Sequence, residues 1–355
     1  MLVPPAVSIQ DVIRVMDAGA MAIALVVDGH GRVLGTVTDG DVRRGMLRGL
    51  RLDAPVELIM HRDPVTALQG SARGTLLSLM RHHQVEHLPV TDESGRVVGL
   101  EVLSDFIGQP PAKDNVVVVF AGGLGTRLRP LTDSTPKPLL KIGDRSLLDA
   151  LIAQIASYGF RRFLIAVNHQ AEVLERQLGH GERAGVQIQY LRESAPLGTV
   201  GAVRLAAAHL SAHPFFVVNG DLLTKVNFEH LLAFHDARHF DMTVAVKPYE
   251  VRIPYGVVQL ADGEVVYDLE EKPSRSYLVN AGIYVLSPAV IPLIPATGRF
   301  DMPDLIREAL RTNRRIGGFP IHEYWLDVGE HVEYARANED VQAGRVQLAA
   351  GLTNG

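Results

Sequence analysis

A glycine-rich turn followed by two cations is the first group of residues whose types and spacing suit phosphate chemistry. Residues 116–120 read VVVVF, which predicts a strand buried on both faces. Glycines after such a strand permit positive φ, and successive backbone amides form a concavity that binds anions. Arg127 and Lys137 follow, the lysine between two prolines that restrict its backbone. The turn itself comprises Ala121, Gly122, Gly123, Leu124, Gly125 and Thr126.

Two common phosphate motifs do not fit this turn. A dinucleotide-binding fingerprint requires a third glycine where Leu128 stands, and a P-loop requires a Gly-Lys-Ser/Thr sequence that does not follow. A nicotinamide-dependent oxidoreductase is therefore disfavoured, although alternating strands and helices would suit one. An ordinary strand-to-turn junction with surface cations is the alternative interpretation of the turn.

Two aspartates in separate segments could form a metal site. Asp221 follows a predicted strand at 215–218, and ligand sites in open α/β sheets lie beyond the carboxyl ends of strands. Asp327 supplies a second carboxylate within the segment Trp-Leu-Asp-Val-Gly. Protein-bound Mg²⁺ commonly takes one or two carboxylates together with substrate phosphates. The pair therefore suits Mg²⁺, while each aspartate alone is also typical of a turn.

Composition is that of a globular protein with more than one domain. The 355 residues are 47% hydrophobic and 21% charged, with a net charge of −5, which argues against a nucleic-acid-binding face. Cysteine is absent, which excludes disulfides, thiolate catalysis and zinc–sulfur sites. The first residues lack the pattern of a signal peptide, and no apolar run reaches membrane-spanning length. We therefore expect a cytoplasmic protein with neither a nucleic-acid nor a membrane partner.

The first 108 residues contain an internal repeat. With an offset of 64, Asp28 corresponds to Asp92 and Asp41 to Asp105. Each copy predicts a helix, two strands joined by a polar turn, and a short closing helix. Repetition of one supersecondary unit predicts two copies that pack on each other.

The remainder of the chain predicts an α/β domain. Alternating strands and helices favour a parallel sheet with helices on both faces. Ser146 and Asp149 form a capping box that opens one helix. The other predicted elements are strands at 163–167, 187–190, 215–218 and 242–246 and an alanine-rich helix at 199–210. The predicted boundaries are repeats at about 1–55 and 56–108, a linker at 109–115, the α/β domain at 116–345 and a flexible tail at 346–355.

The string G-G-x-G-T-R-L-x-P-L-T, followed by P-K-P-L, resembles the signature of sugar-1-phosphate nucleotidyltransferases. The resemblance implies a Rossmann-like, mostly parallel, GT-A-like fold and transfer of a nucleotidyl group from a nucleoside triphosphate to a sugar 1-phosphate. It implies that Arg127 and Lys137 steady the triphosphate. It further implies that Asp221 and Asp327 bind Mg²⁺ and that Lys272 contacts the sugar phosphate. A catalytically silent nucleotide sensor with the same fold is the alternative.

Other motifs of the same family fall on further residues. The turn from Ala121 to Thr126 would bind the nucleotide, together with Pro196, Gly198 and Thr199 of a P-L-G-T loop. The E-K-P segment would place Glu271 on a sugar hydroxyl. The resemblance implies three more sugar-binding residues, namely Gly220, Asn280 and Gly282.

Glu193 bears on the choice of base. It lies where thymidylyl- and uridylyltransferases of the family often carry a glutamine. A carboxylate only accepts hydrogen bonds, and guanine offers two adjacent N–H donors where uracil offers one, so we predict GTP. The chain resembles guanylyltransferases joined to CBS pairs, in particular the glucosamine-1-phosphate guanylyltransferases of nonulosonic (legionaminic) acid pathways. The sugar stays open, and a uridylyltransferase is the alternative.

The repeat itself resembles tandem CBS domains (a Bateman module), which commonly bind nucleotides between the copies. Thr38 and Asp41 match the ribose-binding residues of that family in the first copy. The second copy keeps Asp105 but has Val102 in place of the hydroxyl, so we predict one regulatory nucleotide per chain. CBS pairs usually associate face to face, so we expect a homodimer or homotetramer. A dimerisation module with an empty cleft is the alternative.

Overall fold

The repeat folds as two similar small units. The computed structural model describes residues 1–19, 21–107, 110–168, 170–193 and 197–349. The elements of the repeat are β1 (Leu2–Val3), α1 (Ile9–Ala18), β2 (Ile23–Val27), β3 (Val33–Thr38), α2 (Asp39–Leu47), β4 (Ala67–Leu68), α3 (Arg73–His83), β5 (His87–Thr91), β6 (Val97–Val102) and α4 (Ser104–Ile107). Each unit holds a three-stranded sheet, in the orders β1-β2-β3 and β4-β5-β6. The predicted helix–strand–strand–helix unit is confirmed.

The two polar turns are built alike and pair with each other. The Asp28 carboxylate accepts hydrogen bonds from the amides of His30 and Arg32, at 2.8 and 2.9 Å. Asp92 does the same for residues 94 and 96, both at 2.9 Å. The turns meet through reciprocal backbone hydrogen bonds, from Val33 N to Gly95 O and from Val97 N to Gly31 O. The two copies therefore pack on each other as the repeat predicts.

The rest of the described chain is an α/β domain. Its elements are β7 (Lys113–Phe120), β8 (Lys141–Ile142), β9 (Arg145–Ser146), α5 (Leu147–Ala156), β10 (Phe160–Val167), α6 (Ala171–Leu178), β11 (Gln187–Arg192), α7 (Gly201–Ala206), β12 (Phe215–Asn219), β13 (Leu222–Thr224), α8 (Phe228–Ala237), β14 (Met242–Arg252), β15 (Val257–Ala261), β16 (Val265–Glu270), β17 (Ser274–Leu286), α9 (Met302–Arg311), β18 (Ile316–Pro320), β19 (Trp325–Asp327) and α10 (His331–Gln342).

A seven-stranded sheet in the order β11-β10-β7-β12-β17-β14-β18 is the centre of this domain. Its pairs are parallel except for the two that involve β17, so the predicted mostly parallel sheet is confirmed. The position of β7 in the sheet explains its run of apolar residues. Val117 and Val119 pack in one apolar core, while Val116 and Val118 pack in the core on the opposite face. A strand covered on both faces needs apolar residues at every position.

The structure refines several predicted elements. The Ser146 hydroxyl accepts a hydrogen bond from the Asp149 amide at 3.2 Å, which confirms the capped start of α5. The predicted helix at 199–210 is shorter, because α7 ends at Ala206 and continues only as a 3₁₀ turn, 207–209.

Two predicted boundaries differ from the described chain. β7 begins at Lys113, inside the predicted linker, whose residue Gln109 lies outside the described residues. Val346, at the start of the predicted flexible tail, is buried against the α10 region, because its apolar side chain completes a small core there. Residues 350–355 lie outside the described residues. Within the described ranges, no helix is long and apolar enough to cross a membrane.

A buried arginine joins the first repeat unit to the α/β domain. Arg43 on α2 donates to Glu323 Oε1 at 2.8 Å and to the carbonyl oxygen of Pro320 at 2.9 Å. Its guanidinium also stacks over Phe319, 4.0 Å from the ring centroid. Both charged side chains are almost fully buried. This ion pair therefore sits in a low-dielectric contact between the two parts of the chain.

The ionisable groups around Arg43 are buried together, and Asp39 is a second carboxylate 3.8 Å from its guanidinium. Burial alone would raise the pKa of Glu323, but the charge and hydrogen bond of Arg43, together with His322 and a backbone hydrogen bond, hold that pKa well below its ordinary value. Burial lowers the pKa of His322 to about 4, so its ring is neutral near pH 7. The His322 ring lies 3.3 Å from a carboxylate oxygen of Asp39, also on α2.

Arg43→Ala should be strongly destabilising, because it leaves Glu323 buried without its cation. Removing one partner of a buried ion pair costs about 3–5 kcal/mol. Arg14→Ala is the matched control, since Arg14 pairs with Asp11 at the surface, where such pairs contribute about 0–1 kcal/mol. Denaturant-induced unfolding of both variants measures the difference. Equal losses in the two variants would contradict the importance assigned to this contact.

Candidate functional site

A cavity of about 530 Å³ lies at the carboxyl edge of the large sheet. β7 ends in the glycine-rich turn there, and β12 ends just before Asp221, so the parallel strands deliver both segments to one edge. Many of the residues predicted from the sequence share its wall. They are Gly122, Gly123, Gly125, Thr126, Arg127, Lys137, Glu193, Gly198, Thr199 and Asp221.

The glycine-rich turn owes its shape to close backbone contacts. Gly125 has φ +61°, and a Cβ there would lie 3.0 Å from Thr132 and 3.1 Å from Lys137. The Thr132 hydroxyl donates to the Gly125 carbonyl at 2.8 Å, which fixes this side of the turn. Ala121 is buried, and its amide donates to Ala166 O at 3.0 Å. Ala121 therefore anchors the turn while the glycines face the cavity.

A short antiparallel pair brings the two aspartates together. In the β13–β19 pair Leu222 lies opposite Asp327, and the Val328 amide donates to the carbonyl of Asp221 at 3.0 Å. Lys137 approaches the same place and donates to Asp221 Oδ2 at 2.5 Å. Residues from three distant segments of the chain thus form one charged cluster.

The two carboxylates carry more negative charge than their surroundings compensate. Burial and then the negative charge of Asp221 raise the pKa of Asp327 above its ordinary value. Within the described part of the chain, Asp221 Oδ1 and Asp327 Oδ1 are buried and have no hydrogen-bond partner. Buried acceptors normally have partners, so two unsatisfied oxygens in one place suit a cation.

The protein side chains by themselves do not complete a metal site. Among the described residues, no group of three or more histidine, aspartate and glutamate side chains could hold an ion. Two carboxylates with open coordination positions match Mg²⁺ sites in which substrate phosphates supply further ligands. The residues present therefore fit a divalent cation that arrives with a phosphate-bearing ligand.

Arg127 lies at the mouth of the cavity. Its side chain is mostly exposed, and Nη1 lies 3.1 Å from Glu330 Oε1. The guanidinium also borders Gly329, whose missing side chain leaves room for it. The Arg127–Glu330 ion pair is solvent-exposed and therefore weak, so an anion in the cavity can compete for Arg127 at little cost, whereas the less exposed Lys137 is held by Asp221.

The wall predicted to face the base, named the base-side wall, contains Glu193 and the loop that follows it. Glu193 comes directly after β11, and its Oε2 accepts a hydrogen bond from the Leu197 amide at 3.3 Å. Burial raises the pKa of this half-buried carboxyl. Gly198 (φ +83°) and Thr199 complete the wall, while Pro196 lies outside the described residues.

The predicted sugar-binding residues lie apart from this cavity. Glu271 and Lys272 form an exposed turn after β16, where Lys272 has φ +46°. Asn280 accepts a hydrogen bond from the Gly282 amide at 3.0 Å. A Cβ at Gly220 would lie 2.6 Å from the carbonyl oxygen of Phe120, so this glycine permits close strand packing. Of these described residues, none is on the wall of the 530 Å³ cavity.

A larger cavity, of about 1040 Å³, lies between the two repeat units and α8. Thr38 is on its wall, and its hydroxyl donates to Asp41 Oδ2 at 2.7 Å. Asp41 itself is buried behind that wall, where Arg44 contacts its second oxygen at 2.5 Å. His230 of α8 and Arg238, which directly follows that helix, complete the cavity.

Sequence reasoning missed several residues of both cavities. Asn168, Arg299 and Asp301 line the smaller cavity, and the α8 residues line the larger one. Asp301 carried one usable signal, since Asp301 and Asp304 around a proline are typical of a helix start. That pattern predicts the start of the helix but not the segment that packs against it, because contacts between distant segments leave no local pattern in the sequence.

The fold and the smaller cavity define an α/β protein with a glycine-rich turn and a carboxylate pair at the edge of its sheet. Residues 116–344 match the family model for nucleotidyl transferases, and residues 1–48 and 56–100 match the model for CBS domains. The first match spans more than half of the chain, so the chain belongs to the nucleotidyl transferase family. The predicted family and its CBS pair are confirmed.

Curated relatives and solved structures agree with this family. The chain is 32% identical over 222 residues to mannose-1-phosphate guanylyltransferase catalytic subunit beta of Drosophila melanogaster, covering 61% of this chain and 60% of the fly protein. It is 33% identical over 228 residues to mannose-1-phosphate guanyltransferase of Saccharomyces cerevisiae, covering 61% and 62%. The chain thus spans about three-fifths of the length of these relatives. HddC from Yersinia pseudotuberculosis shares the fold, with a TM-score of 0.52 at 24% identity over 64% of this chain and 99% of that one.

Asp327→Asn should abolish stabilisation by a divalent cation without weakening the metal-free fold. The amide removes charge repulsion from Asp221 and cannot replace an anionic ligand. A ligand at about 100 times its Kd adds about 2.7 kcal/mol to stability. Thermal unfolding with GTP, with and without Mg²⁺, measures the shift, and Asp262→Asn in an exposed turn is the control. A wild-type-sized Mg²⁺ shift in Asp327→Asn would contradict the metal assignment.

Proposed function

We propose that the protein is a sugar-1-phosphate nucleotidyltransferase, which makes an NDP-sugar and pyrophosphate from a nucleoside triphosphate and a sugar 1-phosphate. The observation that carries the proposal is the meeting of the glycine-rich turn, Lys137 and Asp221 in one cavity, with Asp327 held beside Asp221 by the β13–β19 pair. The names of the curated relatives support it.

The reaction needs positioning and charge stabilisation more than a reactive side chain. An oxygen of the sugar phosphate attacks the α-phosphorus, the new P–O bond forms, the bond to the β-phosphate oxygen breaks, and pyrophosphate leaves. The amides of the turn bind the triphosphate, and Lys137 and Arg127 balance its charge. Lys272 orients the sugar phosphate, and its exposed turn must approach the cavity when substrate binds. No covalent nucleophile is required.

Asp221 and Asp327 would hold Mg²⁺ in this account. The cation, when bound, neutralises the charge that develops on the α-phosphate. Lys137 leaves Asp221 Oδ1 unpaired, and Asp327 Oδ1 is likewise unpaired within the described residues, so one oxygen of each carboxylate is available to the ion.

The base we propose is guanine. Glu193 places a carboxylate on the wall beside the P-L-G-T loop, where an acceptor suits the adjacent N1–H and N2–H donors of guanine. The curated relatives are named as guanylyltransferases. Uridylyl transfer remains the alternative.

For the sugar, the relatives are named for mannose 1-phosphate, whereas the CBS-linked resemblance favours glucosamine 1-phosphate. Both compounds belong to one substrate class, the sugar 1-phosphates.

Pyrophosphate release should be at least tenfold more efficient with GTP than with UTP, because unpaired buried polar groups penalise the wrong base. The assay combines each triphosphate with mannose 1-phosphate or glucosamine 1-phosphate, and kcat/KM is compared. Glu193→Gln should reduce the preference for GTP, while Glu182→Gln, on an exposed turn, should not. A tenfold preference for UTP would refute the base, and nucleotide binding without turnover would favour the silent sensor.

We also propose a regulatory nucleotide in the CBS pair. The 1040 Å³ cavity is large enough for one, and Thr38 offers its hydroxyl at the wall. Because α8 of the transferase domain forms part of the same wall, a ligand there would contact both parts of the chain. It shifts activity only if it binds one arrangement better than another. A homodimer or homotetramer and a cytoplasmic location stay predictions.

Thr38→Val should remove nucleotide binding to the CBS pair, because it removes the hydroxyl predicted to bind the ribose. The second repeat already lacks this hydroxyl, since Val102 stands at the equivalent position. Calorimetry on the full chain with AMP and GMP, which lack the triphosphate, should show one such nucleotide per chain in the wild type. Asp105→Ala, in the second repeat, is the matched control and should leave binding unchanged. Unaltered binding in Thr38→Val, or no binding in the wild type, would leave the module as a dimerisation element.

A further inference from the structure

The segment before α9 packs tightly against the loop that forms the base-side wall of the smaller cavity. The Phe300 amide donates to the carbonyl of Leu197 at 2.9 Å, and the Val200 amide donates to the carbonyl of Phe300 at 3.1 Å. Residues 299 and 301 line the cavity beside this loop. A segment a hundred positions away in sequence therefore sets the shape of the loop.

Asp301 makes the side-chain part of this contact. Its Oδ1 accepts a hydrogen bond from the Thr199 amide at 2.9 Å. In return, the Thr199 hydroxyl accepts a hydrogen bond from the amide of Met302 at 2.8 Å. The Arg299 guanidinium donates to Asp301 Oδ2 at 3.0 Å. Each oxygen of Asp301 thus has its own donor, and the carboxylate is fixed between the loop and Arg299.

Gly198 shows how close this contact is. It has φ +83°, and a Cβ there would lie 2.6 Å from the carbonyl oxygen of Phe300 and 2.7 Å from Asp301 Oδ1. Both the backbone conformation and the space therefore require glycine. In this conformation the loop packs directly against the 300–301 segment.

We propose that Asp301 is a positioning residue for the nucleotide: it holds the loop 197–200 in the shape that receives the nucleoside, and Arg299 offsets its charge. This inference rests on the proposed function. If the loop is already ordered, nucleotide binding does not carry the entropic cost of ordering the loop. Loss of the Asp301 contact should therefore weaken nucleotide binding. Asp301 acts through Thr199 and Gly198 and need not touch substrate.

A purely structural role of Asp301 has to be separated from this one. Asp301 is the residue that precedes α9, and its own amide donates to Asp304 Oδ2 at 3.2 Å. Asp304→Ala removes that helix-capping bond but leaves the Thr199 amide bonded to Asp301. It is therefore the matched control for helix capping alone.

The experiment measures binding of a non-hydrolysable GTP analogue to the full-length protein by calorimetry, with Mg²⁺ and without sugar phosphate. Asp301→Ala should weaken affinity by about tenfold or more, the change expected when a hydrogen bond to a charged group is lost. Asp301→Asn keeps an acceptor oxygen and should recover most of the affinity. Asp304→Ala should bind within about twofold of wild type.

Steady-state kinetics supply a second readout. In Asp301→Ala the KM for the nucleotide should rise while the KM for the sugar phosphate stays unchanged, which general destabilisation would not produce. Equal analogue affinity in wild type, Asp301→Ala and Asp304→Ala would overturn the inference and leave the proposed function standing. Absence of analogue binding to the wild type would overturn the inference together with the proposed guanine base.

Discussion

Repulsion between two half-buried carboxylates, each with one buried oxygen that lacks a hydrogen-bond partner within the described residues, is the constraint on which the proposed site depends. The β13–β19 pair holds Asp221 and Asp327 together, and Lys137 balances only part of their charge. Burial beside a like charge is unfavourable for the ionised form of each carboxylate, and the pKa of Asp327 is raised accordingly. A bound cation with its phosphate would offset this cost, and the proposed reaction supplies both.

The rest of the chain keeps this cluster in place from two directions. β7 and its glycine-rich turn bring Lys137 and a row of amides to the carboxylates from within the sheet. From outside, Arg43 of the first CBS unit contacts Glu323, which lies four residues before Asp327 on the same segment. The segment that carries a proposed metal ligand is therefore also the segment on which the CBS pair docks.

Local patterns predicted local features well. The VVVVF strand, the turn after it, the capped start of α5 and the paired polar turns of the repeat all follow from side-chain chemistry over a few residues. Contacts between distant segments could not be predicted in this way. Asp301 against Thr199, and α8 against the CBS pair, arise only when the sheet order is fixed, and no local signal encodes that order. The position of the Glu271–Lys272 turn relative to the smaller cavity likewise could not be predicted, because it depends on where a bound substrate would bring the turn.

Exchange of labelled pyrophosphate into GTP tests the central claim most directly, since it asks whether this site transfers a nucleotidyl group in a single direct displacement. The account predicts exchange that requires both Mg²⁺ and a sugar 1-phosphate, because pyrophosphate can re-enter GTP only by attack on the NDP-sugar. Exchange without any sugar phosphate would reveal a covalent nucleotidyl-enzyme. That result, or no exchange with mannose 1-phosphate or glucosamine 1-phosphate, would contradict the account.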